Sequence, residues 1–361
     1  MKIMILANYD AGLYRFRREL LEELLKKHKV YICLPNGQYV DEMVDWGCEF
    51  IECDLLDRHG TNPMQELKLI SYYKKVLKKI KPDIVFTYTI KPNVYGGIVC
   101  SQLDIPYLVN ITGLGTAVEN DGLMQKITLT LYKLGLKKAQ KVFFQNTTNQ
   151  KFMLEKGILK GAYDLLPGSG VNLKQYLPLE YPDNGTIDFV FVGRTMKEKG
   201  IENYLEAAEY IRKKYPETRF HICGEPEQDY TPRLTELHEK EIVIFHGTVR
   251  NMTKIYKDIS CTIHPSYYPE GLSNVLLESC ASARPIITTD RAGCKEVVDD
   301  GVNGYICKQN DSADLIKQIE KFLSLSWESR RNMGLEGRKK VEKEFNREIV
   351  IQKYLKELEE V

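Results

Sequence analysis

Two glutamates, Glu270 and Glu278, lie eight residues apart in the segment PSYYPEGLSNVLLE, where a strand is expected to end and a helix to begin. Eight residues rise about 12 Å along a helix. The two carboxyls of a glycoside hydrolase lie closer, about 5–9.5 Å apart, so an acid–nucleophile pair is not expected here. We expect them instead to bind hydroxyls at opposite ends of an extended nucleotide-sugar. Two ordinary helix carboxylates exposed to solvent would give the same spacing.

The helix after this turn is expected to begin near Leu272. The first N–H groups of a helix have no partners within the helix, and a helix start therefore binds anions. We expect the backbone N–H groups from about Leu272 to Val275, which include those of Ser273 and Asn274, to bind a diphosphate, with the Ser273 side chain capping the helix.

A second cluster, FVGRTMKEKG at 191–200, follows a predicted strand and opens a predicted helix. Gly193 allows the turn, and Arg194 and Lys199 place two cations at the carboxyl end of the strand. Two cations can neutralise a diphosphate leaving group, a role that other enzymes give to a metal ion. Helix-start charges exposed to solvent are an alternative explanation of the same pattern.

Glycine turns follow two strands in the first half of the chain. Gly12 lies between the first predicted strand and the first predicted helix, where a glycine lets a phosphate approach the backbone closely. Gly113 and Gly115 follow another strand and are expected at the same edge of the sheet. Neither motif is a GxGxxG, and ordinary turn chemistry explains both equally well.

The elements that position these residues alternate between strand and helix, and the alternation occurs twice. Predicted strands lie at 2–7, 30–35, 49–54, 83–88, 106–112, 141–146, 187–193, 219–224, 241–247, 260–265, 285–290 and 304–307. Predicted helices lie at 14–27, 40–46, 63–80, 93–102, 123–138, 200–215, 251–257, 273–282, 311–324, 327–343 and 346–360. This alternation indicates βαβ units with parallel sheets. The Gly- and Pro-rich segment 165–185 predicts a linker.

The linker predicts two domains, at 1–172 and 173–345, and a last helix at 346–361 that crosses back to the first domain. Residues 1–172 carry 23 Lys and Arg against 18 Asp and Glu, and residues 173–361 carry 28 against 32. The opposite signs of the two halves suggest different partners for each.

The composition excludes several classes of protein. Nine cysteines without a CxxC pattern indicate reduced thiols, with neither a disulfide framework nor a zinc site. The N-terminus lacks a signal-peptide pattern, and no stretch reaches the roughly 20 apolar residues of a membrane span, which predicts a cytoplasmic protein. No concentrated basic stripe points to nucleic acid.

The motifs GRxxxxKG and EGxxxxLLE, in this order in the second domain, resemble glycosyltransferase family 4, and the resemblance runs over nearly the whole chain. The segments TYTIKPNVYGG, NITGLG, SGVNL, TDRAGCKEVV and DGVNGY resemble bacterial enzymes that build capsule, O-antigen or lipid-linked oligosaccharide. The resemblance implies the GT-B fold, an α/β fold of two Rossmann-like, doubly wound domains that face a central cleft. The first domain would bind the acceptor and the second the nucleotide-sugar. It also implies retention of anomeric configuration without a metal or a cofactor.

The resemblance also assigns roles to residues. The catalytic group would be Glu270 on the donor sugar, with Arg194 and Lys199 on the diphosphate. Glu278 would bind the ribose. The rest of the donor site would comprise Gly12, Gly193, Gly224, Thr248, Arg250, Leu272, Ser273 and Asn274. Of these, Gly224 and the segment from Thr248 to Arg250 would hold the nucleotide base. Many relatives carry a histidine after the strand at 83–88, but this turn reads TYTI here, so no general base is assigned. The acceptor candidates are Lys91, Asn93, Gly113 and Gly115.

The expected function is transfer of N-acetylgalactosamine, galactose or galacturonic acid from a UDP-sugar to an undecaprenyl-diphosphate-linked saccharide. A nucleotide-sugar epimerase of similar fold and a non-catalytic nucleotide-sugar-binding protein are the alternatives. Basic and apolar residues in 123–138 and 72–79 are typical of helices that lie on an anionic membrane surface. Packing of these helices on the sheet, with lysines toward water, is an equally good explanation.

Overall fold

The computed structural model describes residues 1–56, 62–115, 118, 121–227, 229–269 and 271–360. The chain forms two compact units, one comprising Met1–Ser169 with Glu348–Val361 and the other comprising Gly170–Arg347. All nine cysteines lie in the described part, where they are buried and form no disulfide. Within the described residues, no helix is both long enough and apolar enough to cross a bilayer.

Strands and helices follow each other in the order typical of βαβ units. The strands are β1 (Lys2–Leu6), β2 (Lys29–Leu34), β3 (Glu49–Glu52), β4 (Ile84–Tyr88), β5 (Tyr107–Ile111), β6 (Lys141–Phe144), β7 (Tyr163–Leu165), β8 (Ile187–Val192), β9 (Thr218–Cys223), β10 (Ile244–Phe245), β11 (Cys261–His264), β12 (Ile286–Thr289) and β13 (Gly304–Cys307). The helices are α1 (Asp10–Leu25), α2 (Val40–Asp45), α3 (Pro63–Ile80), α4 (Gly97–Leu103), α5 (Leu123–Gly135), α6 (Thr147–Glu155), α7 (Ile201–Lys214), α8 (Thr231–Glu239), α9 (Met252–Tyr256), α10 (Asn274–Ala281), α11 (Ser312–Leu323), α12 (Trp327–Glu344) and α13 (Arg347–Leu358). A π-helical turn, Pro92–Gly96, leads into α4.

The first unit is built on a seven-stranded sheet in the order β3-β2-β1-β4-β5-β6-β7, and its paired strands run parallel. Helices α3 to α6 cover one face and α1, α2 and α13 cover the other. Because both faces are covered, the central strands are continuous apolar runs such as KIMIL and IVFTY.

The second unit has a six-stranded parallel sheet in the order β10-β9-β8-β11-β12-β13. Helices α7, α8 and α11 cover one face, while α9, α10 and much of α12 cover the other. Because the strands of each sheet are parallel, the loops that follow them lie at the carboxyl edge. In both units the strand order reverses beside the first strand, β1 or β8, and sheets of this kind bind ligands at such a reversal.

The predicted α/β class with two doubly wound, parallel sheets is confirmed. Three elements, α6, β7 and α8, were not predicted from the sequence. Helix α6 buries Met153 alone among its described residues, and α8 buries Leu234 and Leu237. Such short helices have too few apolar residues for a clear period. The strand predicted at 241–247 is reduced to Ile244–Phe245.

Candidate active site

Three glycines form a compact layer at the carboxyl ends of β8, β9 and β10. The N–H of Gly193 donates to the Cys223 carbonyl at 2.9 Å, and the N–H of Gly224 donates to the Gly247 carbonyl at 2.8 Å. A Cβ atom on Gly224 would lie 1.8 Å from the Gly193 carbonyl oxygen. The φ angles of Gly193 and Gly224 are +151° and +155°, values that side chains disfavour. Glycine is therefore required where these turns meet.

The two predicted cations, Arg194 and Lys199, meet at one aromatic ring. The guanidinium carbon of Arg194 lies 5.6 Å from the ring centroid of Tyr268, and Lys199 Nζ lies 5.0 Å from the same centroid. Arg194 also forms an ion pair with Glu227, and both side chains are about one-third exposed. The structure thus brings the two cations together, and it adds a tyrosine and a carboxylate that sequence reasoning did not include.

Close backbone contacts fix the loop that carries these cations against the loop after β11. A Cβ atom on Gly200 would lie 2.1 Å from the Pro265 carbonyl oxygen. The N–H of Tyr267 donates to the Glu198 carbonyl at 2.9 Å. The motifs at 193–200 and 265–278 are therefore neighbours in space.

Helix α10 begins at Asn274, within two residues of its predicted start. Ser273 occupies the N-cap position, but its side chain makes no capping hydrogen bond in the described structure. Its N–H donates to the Gly293 carbonyl at 2.7 Å, so it is not available to an anion. Leu272 precedes the helix and its side chain is buried in the core. The expected side-chain cap and backbone contribution of Ser273 are corrected accordingly, whereas the expected contributions of the Leu272 and Asn274 N–H groups stay predictions.

Of the two predicted glutamates, the structure describes Glu278 and not Glu270. Glu278 lies on α10, half-buried. Burial, together with the charge of Glu278, raises the pKa of the nearby Tyr256 well above its usual value. Glu270 lies outside the described residues.

The residues expected to hold the nucleotide base lie at adjacent strand ends. Gly224 follows β9, and Thr248 and Arg250 follow β10 and are exposed. The hydrogen bond from Gly224 to Gly247 holds the two strand ends together.

Sequence reasoning missed a polar relay that runs from Asp188 on β8 through His221 on β9 to His246, the residue after β10. His221 Nε2 lies 2.9 Å from Asp188 Oδ1, and His221 Nδ1 lies 2.9 Å from His246 Nε2. Burial raises the pKa of Asp188, but hydrogen bonds from His221 and Thr186 outweigh it and hold this pKa below its ordinary value. Only the strand register aligns these residues, so no local sequence signal could have identified the relay.

In the first unit, Gly12 does not lie in the turn where it was expected. Helix α1 already begins at Asp10, which places Gly12 in the first turn of the helix. A Cβ atom there would meet Tyr9 Cδ1 at 3.9 Å, an ordinary contact. The shape of the backbone therefore does not require a glycine here, although the Gly12 N–H lies in the first turn, where helix N–H groups remain available.

The two polar acceptor candidates after β4 have different environments. Asn93 is buried, and it accepts from Thr87 Oγ1 and donates to the Asn110 carbonyl, both at 2.8 Å. This network gives Asn93 a structural role that ties β4 to β5, in place of the ligand contact expected from sequence. Lys91 Nζ lies 2.7 Å from Glu66 Oε1 in a largely buried ion pair.

The glycine turn after β5 lies beside the turn after β4. Gly113 and Gly115 have φ angles of +147° and +73°. A Cβ atom on Gly115 would lie 2.9 Å from Ile90 Cδ1. Lys91 and this turn thus follow neighbouring strands at one edge of the sheet. Among the described residues, no group of three or more His, Cys, Asp or Glu side chains is arranged to hold a metal ion.

Two family models match the chain. Residues 180–340 match the family described as "Glycosyl transferases group 1", and residues 2–146 match "Glycosyl transferase 4-like". The chain is 25% identical over 374 residues to N,N'-diacetylbacillosaminyl-diphospho-undecaprenol alpha-1,3-N-acetylgalactosaminyltransferase of Campylobacter jejuni, an alignment that covers 99% of this chain and 98% of the relative. It is also 28% identical over 209 residues to the putative glycosyltransferase EpsD of Bacillus subtilis, covering 54% of each.

Solved structures share the fold at low sequence identity. HepE of Anabaena, crystallised with UDP and glucose, has a TM-score of 0.81 at 14% identity and covers 100% of both chains. A sucrose-phosphate synthase from Thermosynechococcus elongatus has a TM-score of 0.81 at 18% identity, covering 100% of this chain and 98% of that one.

The two Rossmann-like units, each built on a parallel sheet, are the architecture of the GT-B class of glycosyltransferases. The predicted GT-B fold class is confirmed by the solved structures. The chain belongs to glycosyltransferase family 4, and the family assignment made from its motifs is likewise confirmed.

Proposed function

We propose that the chain is a retaining glycosyltransferase that moves a sugar from a UDP-sugar to a lipid-linked saccharide. The observation that carries the proposal is the convergence of Arg194 and Lys199 on the ring of Tyr268, directly after the glycine turn of β8. Two cations beside one ring match the charge of a diphosphate leaving group. The half-buried Glu278 on α10 is proposed to bind the ribose.

In the proposed reaction, negative charge grows on the diphosphate as its bond to the sugar breaks. The guanidinium of Arg194 and the ammonium of Lys199 stabilise that charge, so we propose that neither a metal ion nor a cofactor takes part. Glu270 would bind hydroxyls of the departing sugar. The acceptor hydroxyl forms its new bond on the face that the diphosphate leaves, and its proton passes to a phosphate oxygen.

Two observations support the proposed acceptor: the name of a relative and the residues at the carboxyl edge of the first unit. The relative from Campylobacter jejuni is named for an undecaprenol-diphospho-linked sugar, and the similarity covers nearly all of both chains. We propose an undecaprenyl-diphosphate-linked saccharide as acceptor, in the synthesis of a bacterial surface polysaccharide or lipid-linked oligosaccharide. Lys91, held by Glu66 at the end of β4, and the turn at Gly113 and Gly115 are its proposed contacts.

A panel of UDP- and GDP-sugars, titrated calorimetrically in EDTA, tests the proposed donor site. UDP-N-acetylgalactosamine is the first donor to test because the relative is named for this sugar; UDP-galactose and UDP-galacturonic acid follow. Selective binding of one UDP-sugar supports the proposal, and binding that requires added Mg²⁺ contradicts the metal-free reaction. A new monosaccharide formed without acceptor would identify an epimerase instead.

The variants Arg194→Ala and Glu270→Ala test the roles of these residues, with Arg250→Ala as a cationic comparison at the base end of the site. We expect Arg194→Ala and Glu270→Ala each to abolish transfer in a protein that still folds. Full turnover by folded Glu270→Ala would exclude its role on the donor sugar.

We also propose that the first unit contacts the membrane through an apolar surface at the starts of α3 and α5. Leu67, Leu123 and Ile127 are 66%, 75% and 46% exposed, and Met64 and Met124 are exposed beside them. Both helices cover the same face of the sheet and begin at its carboxyl edge, and Lys126 is exposed within α5. Apolar side chains with nearby lysines bind anionic lipid surfaces.

Sedimentation with phosphatidylglycerol vesicles, compared with phosphatidylcholine vesicles, tests this contact. We expect binding to the anionic vesicles and its loss in Leu123→Ser/Ile127→Ser. Leu177→Ser, which changes a residue 58% exposed in the second unit, is the matched control. Equal sedimentation with both lipids would contradict the proposal.

A further inference from the structure

A cavity of about 290 Å³ opens at the carboxyl ends of β1 and β2 in the first unit. Its polar lining comes from Asn8, Asp10, Asn36 and Gln38, and the ring of Tyr9 borders it. No site residue predicted from the sequence lines this cavity. Its volume is near the lower limit of small-ligand pockets, about 300 Å³.

Contacts between two loops hold the Asp10 carboxylate in the wall of the cavity. Asp10 is 5% exposed, and its Oδ2 accepts the N–H of Tyr39 at 2.8 Å. A Cβ atom on Gly37 would lie 2.4 Å from the same carboxylate. The carboxylate therefore occupies the space that a side chain at position 37 would need, which fixes its position.

The charge of Asp10 determines which ligands the cavity can accept. Asp10 is the first residue of α1, where a helix favours negative charge and would otherwise attract a phosphate. A phosphate that entered the cavity would meet this carboxylate at short range and in a partly buried setting, where like charges repel strongly. The cavity is therefore suited to an uncharged group.

The remaining lining is suited to a sugar ring. Side-chain amides, as in Asn8 and Gln38, both donate and accept hydrogen bonds, and a carboxylate accepts them, so together they match the mixed character of hydroxyl groups. Tyr9 is 55% exposed and offers a flat apolar surface to the C–H face of a pyranose.

We propose that this cavity binds an uncharged saccharide ring of the acceptor, through Asp10, Asn8 and Gln38, with Tyr9 against the ring. Only the assignment of this saccharide to the acceptor rests on the proposed function, because the lining of the cavity is by itself suited to a saccharide. Asp10 excludes phosphate groups from this subsite.

Saturation-transfer NMR on the full chain tests the subsite, with free N-acetylglucosamine and N-acetylgalactosamine as probes and saturating UDP present. We expect the saccharide signals to persist with UDP bound. Gln38→Ala, which removes one hydrogen-bonding group, should raise the saccharide Kd about three- to tenfold. Gln102→Ala, at an exposed glutamine on α4, should leave the Kd unchanged. Absence of saccharide signals, their loss on adding UDP, or an unchanged Kd in Gln38→Ala would overturn the proposal.

A second variant tests the exclusion of phosphate. Asp10→Asn keeps an oxygen that can accept the Tyr39 N–H but removes the charge. Inorganic pyrophosphate should compete with the saccharide in this variant and not in the wild type. Competition of equal strength in both proteins would show that Asp10 does not exclude anions, and would overturn this part of the proposal.

The transferase assay separates this proposal from the proposed function. If no nucleotide-sugar supports transfer while saccharide binding still depends on Gln38, the proposed function fails and the saccharide subsite stands. If transfer proceeds and Gln38→Ala leaves both the acceptor KM and the saccharide Kd unchanged, the subsite is overturned and the proposed function stands.

Discussion

Replacing Gly224 by alanine adds one methyl group at the point where the turns after β8 and β9 touch. The added Cβ would lie 1.8 Å from the Gly193 carbonyl oxygen, whereas ordinary contact begins at 3.4 Å, so the turns must separate by about 1.6 Å. The φ of +155° costs a non-glycine residue about 1–3 kcal/mol. Overpacking a close contact adds about 1–3 kcal/mol.

The free energy of unfolding should therefore fall by about 2–6 kcal/mol. A loss of about 3 kcal/mol lowers the Tm of a unit of this size by about 6–12 °C. The rate of transfer should also fall, because Arg194 directly follows Gly193 and is displaced when the two turns separate. A displacement of about 1 Å in a group that stabilises the reaction costs about 100-fold in rate.

Gly247→Ala is the matched control for this variant. Gly247 belongs to the same glycine layer and has a φ of +64°, but a Cβ atom there meets nothing within 4 Å. Gly247→Ala should therefore lose only the free energy of placing alanine at a positive φ, about 1–2 kcal/mol, without the cost of a steric clash. Thermal unfolding and calorimetric titration with UDP compare the two variants. If Gly224→Ala unfolds at the same temperature as Gly247→Ala and binds UDP like the wild type, the reasoning is refuted.

Three further predictions concern charge and conformation. Glu227→Gln removes the ion-pair partner of Arg194, and because both side chains are partly exposed, UDP should bind about two- to fivefold more tightly by calorimetry; weaker binding would mean that Glu227 contacts the ligand. Gly12→Ala should raise the free energy of unfolding by about 0.5–1 kcal/mol and leave the donor KM unchanged; a raised KM would indicate close approach of a ligand. Burial and the charges of two neighbouring histidines lower the pKa of His246. The contribution of neutral His246 to the free energy of unfolding should therefore be fully present above about pH 6.5 and should decline as the pH falls below that value. In denaturant titrations, His246→Asn should flatten that decline, and an unchanged slope would point to another group.

The class of fold and the positions of the main motifs could be predicted from local features of the sequence. Apolar runs separated by amphipathic segments predicted every strand except β7, because a buried parallel strand leaves a continuous local signal. The turn at Gly193 and the following cations were likewise recognisable, since a strand end, a glycine and two basic residues are all local features. Short helices such as α6 were missed because few of their residues are buried.

Which of these residues a ligand can reach could not be predicted from the sequence, because it depends on the tertiary structure. Ser273 lost its expected role because a carbonyl from a distant loop uses its N–H, and Asn93 lost its role because β4 and β5 enclose it. Likewise, Arg194 and Lys199 meet at Tyr268 only because backbone contacts fix two loops together. The physical reason is that burial and hydrogen-bond partners depend on segments far apart in the chain, whereas periodicity and turn chemistry depend on neighbours within a few residues.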